Sequence, residues 1–215
     1  MNHEQIKQRF LEDVKNHEME IIYDNNSNRR HIRFKQMGSS NFYFDLITWP
    51  GHLCYTGDMG TYVFQRTTDM FAFFRQNYGR YHELKINPQY WAEKCISESK
   101  FGDGIKQYSR DKFEDAVKTE FRGYIKNVRN NVDLENDMER ERFGNEMRDI
   151  WQDIQNSIFG SENEWEAMNS IYSFNGPDYL FQDFWETTIT EYTFHFLWCL
   201  YAIVWGISKY DERQS

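Results

Sequence analysis

The chain has 215 residues, 18% of them aromatic, and a formal net charge of −9. That length fits one domain, or one domain with an appended helical half, and an acidic excess is unsuited to coating a phosphate backbone. Three cysteines, Cys54, Cys95 and Cys199, are scattered and odd in number, which excludes a disulfide framework and fits a reducing cytoplasm.

The first stretch, MNHEQIKQRFLEDVKNHE, has no apolar run of the secretion-signal kind. Its Ile6, Phe10 and Val14, spaced by four, predict an amphipathic helix over 3–17. EMEIIYD then opens a strand region, and RRHIRFKQ (29–36) alternates Ile32 and Phe34 against Arg33 and Lys35. FYFDLIT (42–48), HLCYT (52–56) and TYVFQ (61–65) are further short strands, separated by the turn signals WPG and GDMG. Connections this short allow only an antiparallel meander, of about five strands.

TDMFAFFRQNY (68–78) and NPQYWAEKCI (87–96) read as short helices, with a loop at SKFGDGIKQYS (99–109). Helical periodicity then takes over in 110–129, 134–155 and 162–173, and a last helix is expected over Phe181–Lys209, broken near Thr187–Thr190. The apolar run Phe194–Ile207 is shorter than the roughly 20 residues a bilayer requires and contains His195. It reads as a buried core helix, with no membrane partner. The order of elements predicts an α+β fold: an N-terminal helix, the meander, then a mainly helical C-terminal half. It reads as a single domain over 1–215, with 1–66 as helix plus sheet and 67–215 packed on it.

Charge is unevenly placed. Residues 1–148 hold 23 Lys+Arg and 23 Asp+Glu, whereas 149–208 hold nine acids and no Lys or Arg. Carboxylates at this density can imitate phosphates and enter a basic nucleic-acid channel of a partner, or simply keep the surface solvated. Glu162, Glu164, Glu166, Asp178 and Asp183, with Trp165 as an aromatic anchor, are the candidate partner-binding residues. Lys118, Arg122, Lys126 and Arg129 run along the polar side of the 110–129 helix and form a candidate nucleic-acid stripe, to which Arg29, Arg30, Arg33 and Lys35 add basic character on one strand.

Catalytic and metal readings have specific residues to answer for. His52 and Cys54 share one face of a strand, and Asp58 follows, so a Cys/His hydrolase or nuclease is an alternative; the turns and alternation of the meander explain the same residues without chemistry. Glu191, His195 and Cys199 fall at i, i+4, i+8, a metal stripe in principle, without the CxxC or HExxH partner that would support it. Gly102-Asp103-Gly104 matches no phosphate-cradling loop. No cofactor is expected.

Three stretches, ITWPGHLCYTGDMGTYVFQRTTDMFAFF, INPQYWAEKC and FLWCLYAIVWGISKYD, together resemble a family of small accessory proteins encoded by bacteriophages and prophages. The likeness extends from about Arg30 to Asp211 and brings no catalytic residues with it. It implies a protein of the host cytoplasm that blocks a bacterial defence system, in the manner of anti-CRISPR proteins, by binding a host protein or ribonucleoprotein such as a CRISPR-associated complex. An aromatic-rich surface also makes a homodimer an expectation.

Overall fold

The computed structural model describes residues 2–75, 84–98 and 104–214. The predicted continuation of a helix through 76–78 and the Gly102-Asp103 pair lie outside the described residues. The fold is α+β, and it falls into two compact units: residues 1–107 with 192–215, hereafter the sheet unit, and residues 108–191, the acidic unit.

In the sheet unit, helix α1 (His3–Val14) precedes strands β1 (Glu18–Asp24), β2 (Arg30–Lys35), β3 (Phe44–Trp49), β4 (His52–Gly57) and β5 (Gly60–Gln65). Short helices α2 (Met70–Arg75) and α3 (Pro88–Ala92) lead to β6 (Cys95–Glu98). The six strands form one antiparallel sheet in sequence order. The predicted helix over 87–96 is therefore corrected. Asn87 caps it and Pro88 starts it, but it ends at Ala92, and the chain turns so that Cys95 pairs with Phe64. A propensity signal yields here to an open sheet edge.

Period-two alternation sends Ile32, Phe34, Phe44, Leu46, Leu53, Tyr55 and Phe64 to one face, all fully buried. Helix α7 (Phe194–Gln214) covers that face, crossing so closely that a Cβ on Gly206 would lie 2.9 Å from Leu46 Cδ1 and 3.0 Å from Phe34 Cε2. Phe10 of α1 packs edge-on against Trp198 at 5.0 Å, and the Trp198 indole donates to Asp13 at 3.0 Å, fixing α1 on α7. The expected long last helix is shorter at its start. Phe184–Glu186 form one 3₁₀ turn, and Thr190–Tyr192 form strand β8, paired with β7 (Lys106–Tyr108), before α7 begins.

His17, just after α1, has its Nε2 3.0 Å from the Phe42 carbonyl, while its buried Nδ1 has no hydrogen-bond partner among the described residues. Burial pushes this imidazole below its ordinary value of 6.5, outweighing the Phe42 hydrogen bond and the Asp13 charge that favour its cation. The unfolded chain therefore takes up the proton first as pH falls. The stability tied to neutral His17 is present above about pH 6.5 and declines below it. Thermal unfolding from pH 7.5 to 5 should show this decline, and His17→Gln, which keeps a donor for Phe42 but cannot titrate, should remove it.

The acidic unit contains α4 (Arg110–Arg129), α5 (Asp137–Ser157) and α6 (Glu164–Tyr172). Phe113, Val117 and Phe121 of α4 meet Met147 and Ile154 of α5, Ala167 and Ile171 of α6, and Leu180, Phe184 and Ile189 in a separate core. Asn136 and Asn163 cap α5 and α6 through side-chain oxygens.

Candidate functional site

Charge divides as the fold does. The acidic unit holds 9 Lys+Arg against 19 Asp+Glu, and the sheet unit 16 against 15. A formal charge of −10 thus sits in the acidic unit and +1 in the sheet unit.

Within the acidic unit, Glu162, Glu164, Glu166, Asp178, Asp183 and Glu186 are all exposed. Helix α6 explains why the first three cluster. Asn163 Oδ1 accepts the Glu166 amide at 3.0 Å, and Glu166 Oε2 accepts the Glu162 amide at 2.9 Å. Acids in a first helical turn are also favoured by the helix dipole. Glu166 therefore has a structural duty that its sequence position did not separate from a binding one. Helix α6 buries small and aliphatic Ala167 and Ile171 while presenting Trp165 and Tyr172, seven residues apart, on the opposite side. Tyr179 and Trp185 are exposed as well, and the four rings are between 63% and 80% exposed. Sequence reasoning singled out only Trp165. Aromatic residues recurring inside an acid-rich, cation-free stretch are the signal that would have found the other three.

The predicted residues do not converge on one cavity. Trp165 and Glu166 line a hollow of about 420 Å³ with Asn169, Ser173 and Phe174, whereas Asp178 lines another of about 650 Å³ beside α4. Glu162, Glu164 and Asp183 line neither. The set is exposed and dispersed, and it forms no single pocket.

The basic stripe is narrower than the sequence suggested. Lys118 is committed to Glu114 at 3.4 Å and Asp115 at 3.7 Å, with its ammonium 5.9 Å from the Phe159 ring centre. Arg122, Lys126 and Arg129 remain exposed, with no carboxylate partner among the described residues. The basic strand β2 is largely neutralised. Arg33 holds Asp45 through two bonds of 2.8 Å, with His31 Nε2 also at 2.8 Å, and Arg30 points inward to Asp69 at 3.0 Å. Burial pushes the Asp45 carboxyl up, but the hydrogen bonds from Arg33 and His31 win, and it lies below its usual range.

No protein-family model, curated protein or solved structure matches the chain.

His52, Cys54 and Asp58 do not form a catalytic set. His52 starts β4 and Asp58 follows its end, a separation of about 20 Å along an extended strand. His52 is stacked on Trp49 at 4.9 Å with Nδ1 3.0 Å from the Pro50 carbonyl. Asp58 Oδ2 accepts the Phe42 amide at 2.8 Å, clamping the hairpin to the connection between β2 and β3. Burial, then the nearby Asp45 charge, pushes the Cys54 thiol up, while burial takes Cys95 up to about 11 and Cys199 well above the thiol range. A cysteine nucleophile requires the opposite environment. The supposed stripe of Glu191, His195 and Cys199 is not on one helix, since Glu191 belongs to β8 while His195 and Cys199 lie on α7, where Cys199 is fully buried. Among the described residues, no three His, Cys, Asp or Glu side chains gather as metal ligands, and no helix is long and apolar enough to cross a membrane.

Proposed function

We propose that the chain is a binding protein whose acidic unit occupies the nucleic-acid site of a host defence complex, a CRISPR-associated nuclease or its guide-RNA assembly in the phage reading. One observation carries this. From Glu162 to Glu186, six exposed carboxylates stand among four exposed aromatic rings, inside a 60-residue stretch (149–208) without lysine or arginine. Carboxylates offer a basic groove what phosphates offer, and flat rings offer what bases offer, so one surface satisfies both halves of a nucleic-acid site. The phage assignment rests on the resemblance in sequence, and the absence of a workable Cys/His/Asp arrangement favours occlusion over catalysis.

The test is competition. A host ribonucleoprotein captured by the chain should release it to its own target nucleic acid, with affinity falling as salt rises. Glu162→Lys, Glu164→Lys and Asp183→Lys together, with Trp165→Ala, should weaken binding by about 100-fold or more while helicity is kept. Glu166 is left intact because it closes the start of α6. Unchanged binding in that variant refutes the proposal. Arg122, Lys126 and Arg129, exposed along α4, support a second reading, nucleic-acid binding by the chain itself. A salt-dependent gel shift lost in Arg122→Ala/Lys126→Ala/Arg129→Ala would establish it instead.

A further inference from the structure

We infer that the hollow beside α4 is a pocket for an arginine side chain of the partner, an inference that rests on the reading of the acidic unit as a protein-binding surface. The hollow measures about 650 Å³ and is lined by Glu120, Tyr124, Asn127, Asn131, Asp178 and Tyr179. Gly123 also borders it, and a Cβ there would meet nothing within 4 Å, so the wall stays open. Among the described residues, the side chains of Glu120, Asn127, Asn131 and Asp178 have no hydrogen-bond or ion-pair partner. Two carboxylates and two carboxamides on separate segments thus face one space with their acceptors unused.

The lining selects the occupant. Paired carboxylates reject an anion. No Lys or Arg among the described residues lines the hollow, and at about 100° per residue Arg122 and Arg129 lie roughly 170° around the helix axis from its lining residues and Lys126 roughly 130°. A guanidinium matches it best: its planar fork of donors suits carboxylate and carboxamide oxygens, and its flat face stacks on tyrosine rings. A lysine ammonium supplies charge without the plane. The basic nucleic-acid sites that the acidic unit is proposed to enter are rich in arginine for the same reasons.

Tyr179 brings a second ring to the hollow beside that of Tyr124. Its φ is +70°, a left-handed conformation that side chains other than glycine and asparagine rarely adopt, and its ring is 80% exposed. The next residue, Leu180, is buried and donates its amide to the Pro177 carbonyl at 3.3 Å, which holds the turn. Glycine at this position would relieve the backbone at no packing cost, so the ring can be removed without loss of the fold.

The experiment uses the whole chain, titrated calorimetrically at physiological ionic strength with oligo-arginine and oligo-lysine peptides of equal length. The arginine peptide should bind about tenfold tighter than the lysine peptide. Glu120→Gln and Tyr179→Gly should each remove that preference and weaken the arginine peptide about tenfold. Tyr179→Gly should keep or raise the melting temperature, which separates lost binding from lost folding. Equal affinity for the two peptides, or unchanged affinity in both variants, overturns the pocket. If the pocket fails while the Glu162/Glu164/Asp183 lysine variant still loses competition, the proposed function stands alone. If that variant competes normally while the pocket variants lose the arginine peptide, the proposed function falls and the pocket remains.

Discussion

Gly57→Ala should cost the sheet unit about 3 kcal/mol or more and in many conditions prevent it from folding. A Cβ at Gly57 would lie 2.2 Å from the Tyr43 carbonyl oxygen and 2.7 Å from the Phe44 Cα, both backbone atoms that no rotamer change can move. Gly57 pairs with Phe44 across β3 and β4 and with Gly60 across the hairpin, so displacement propagates through the sheet in both directions. Phe44 is fully buried, stacked on Phe34 at 4.8 Å and on Tyr55 at 5.6 Å. The Asp58 clamp on Phe42 and Tyr43 is released by the same shift. The internal control is Gly144→Ala on α5, where a Cβ meets nothing within 4 Å. There the substitution should stabilise by about 0.5–1 kcal/mol through helix propensity. Denaturant unfolding of both variants checks the pair, and a Gly57→Ala loss below that of an ordinary surface change would contradict the close approach.

Arg30→Ala is the second large effect, expected at about 3 kcal/mol. Arg30 is a buried cation on the inward side of β2. Its guanidinium donates to Asp69 at 3.0 Å, with its centre 4.7 Å from the Phe71 ring centre and 5.6 Å from that of Tyr210. Asp69 in turn accepts the Phe71 amide at the start of α2, while Arg75 reaches from the end of α2 to Asp211 on α7. Tyr210 donates to Asp24 of β1 at 2.6 Å. Removing Arg30 leaves a void between two rings and takes the nearest cation from Asp69. Arg30→Lys should rescue little, because an ammonium cannot stack and hydrogen-bond in that plane at once. A double-mutant cycle of Arg30→Met with Asp69→Asn should show a coupling of about 1 kcal/mol or more, and a coupling near zero would reduce Arg30 to a space-filler.

Much of this fold was legible in the residues. Alternation in RRHIRFKQ and the glycines flanking HLCYT placed β2 to β5, and Ile6, Phe10 and Val14 placed α1, because those patterns report burial on one face. Strand β6 was hidden, since NPQYWAEKCI carries a good helix start and only the pairing of Cys95 with Phe64, thirty-one positions away, decides its end. Arg33 looked like a free cation because its neutraliser, Asp45, lies twelve positions away on another strand. The acidic surface could be read directly, as charge composition needs no tertiary information. The arginine pocket could not, because Glu120 and Asp178 share a space only after the turn at 176–180 has folded against α4.

The acidic unit is an insertion: its 84 residues separate Gln107 from Tyr192 and the helix that closes the core of the sheet unit. During synthesis the six strands emerge first, with Phe34, Phe44, Leu46 and Tyr55 uncovered, and stay so until α7 leaves the ribosome. The insertion can build its own core meanwhile, since all its partners are local in the chain. The last-made helix is thus the one that completes the first-made sheet. The contacts that close the sheet unit therefore span the longest loop in the chain, the kind of closure whose entropy cost favours late formation.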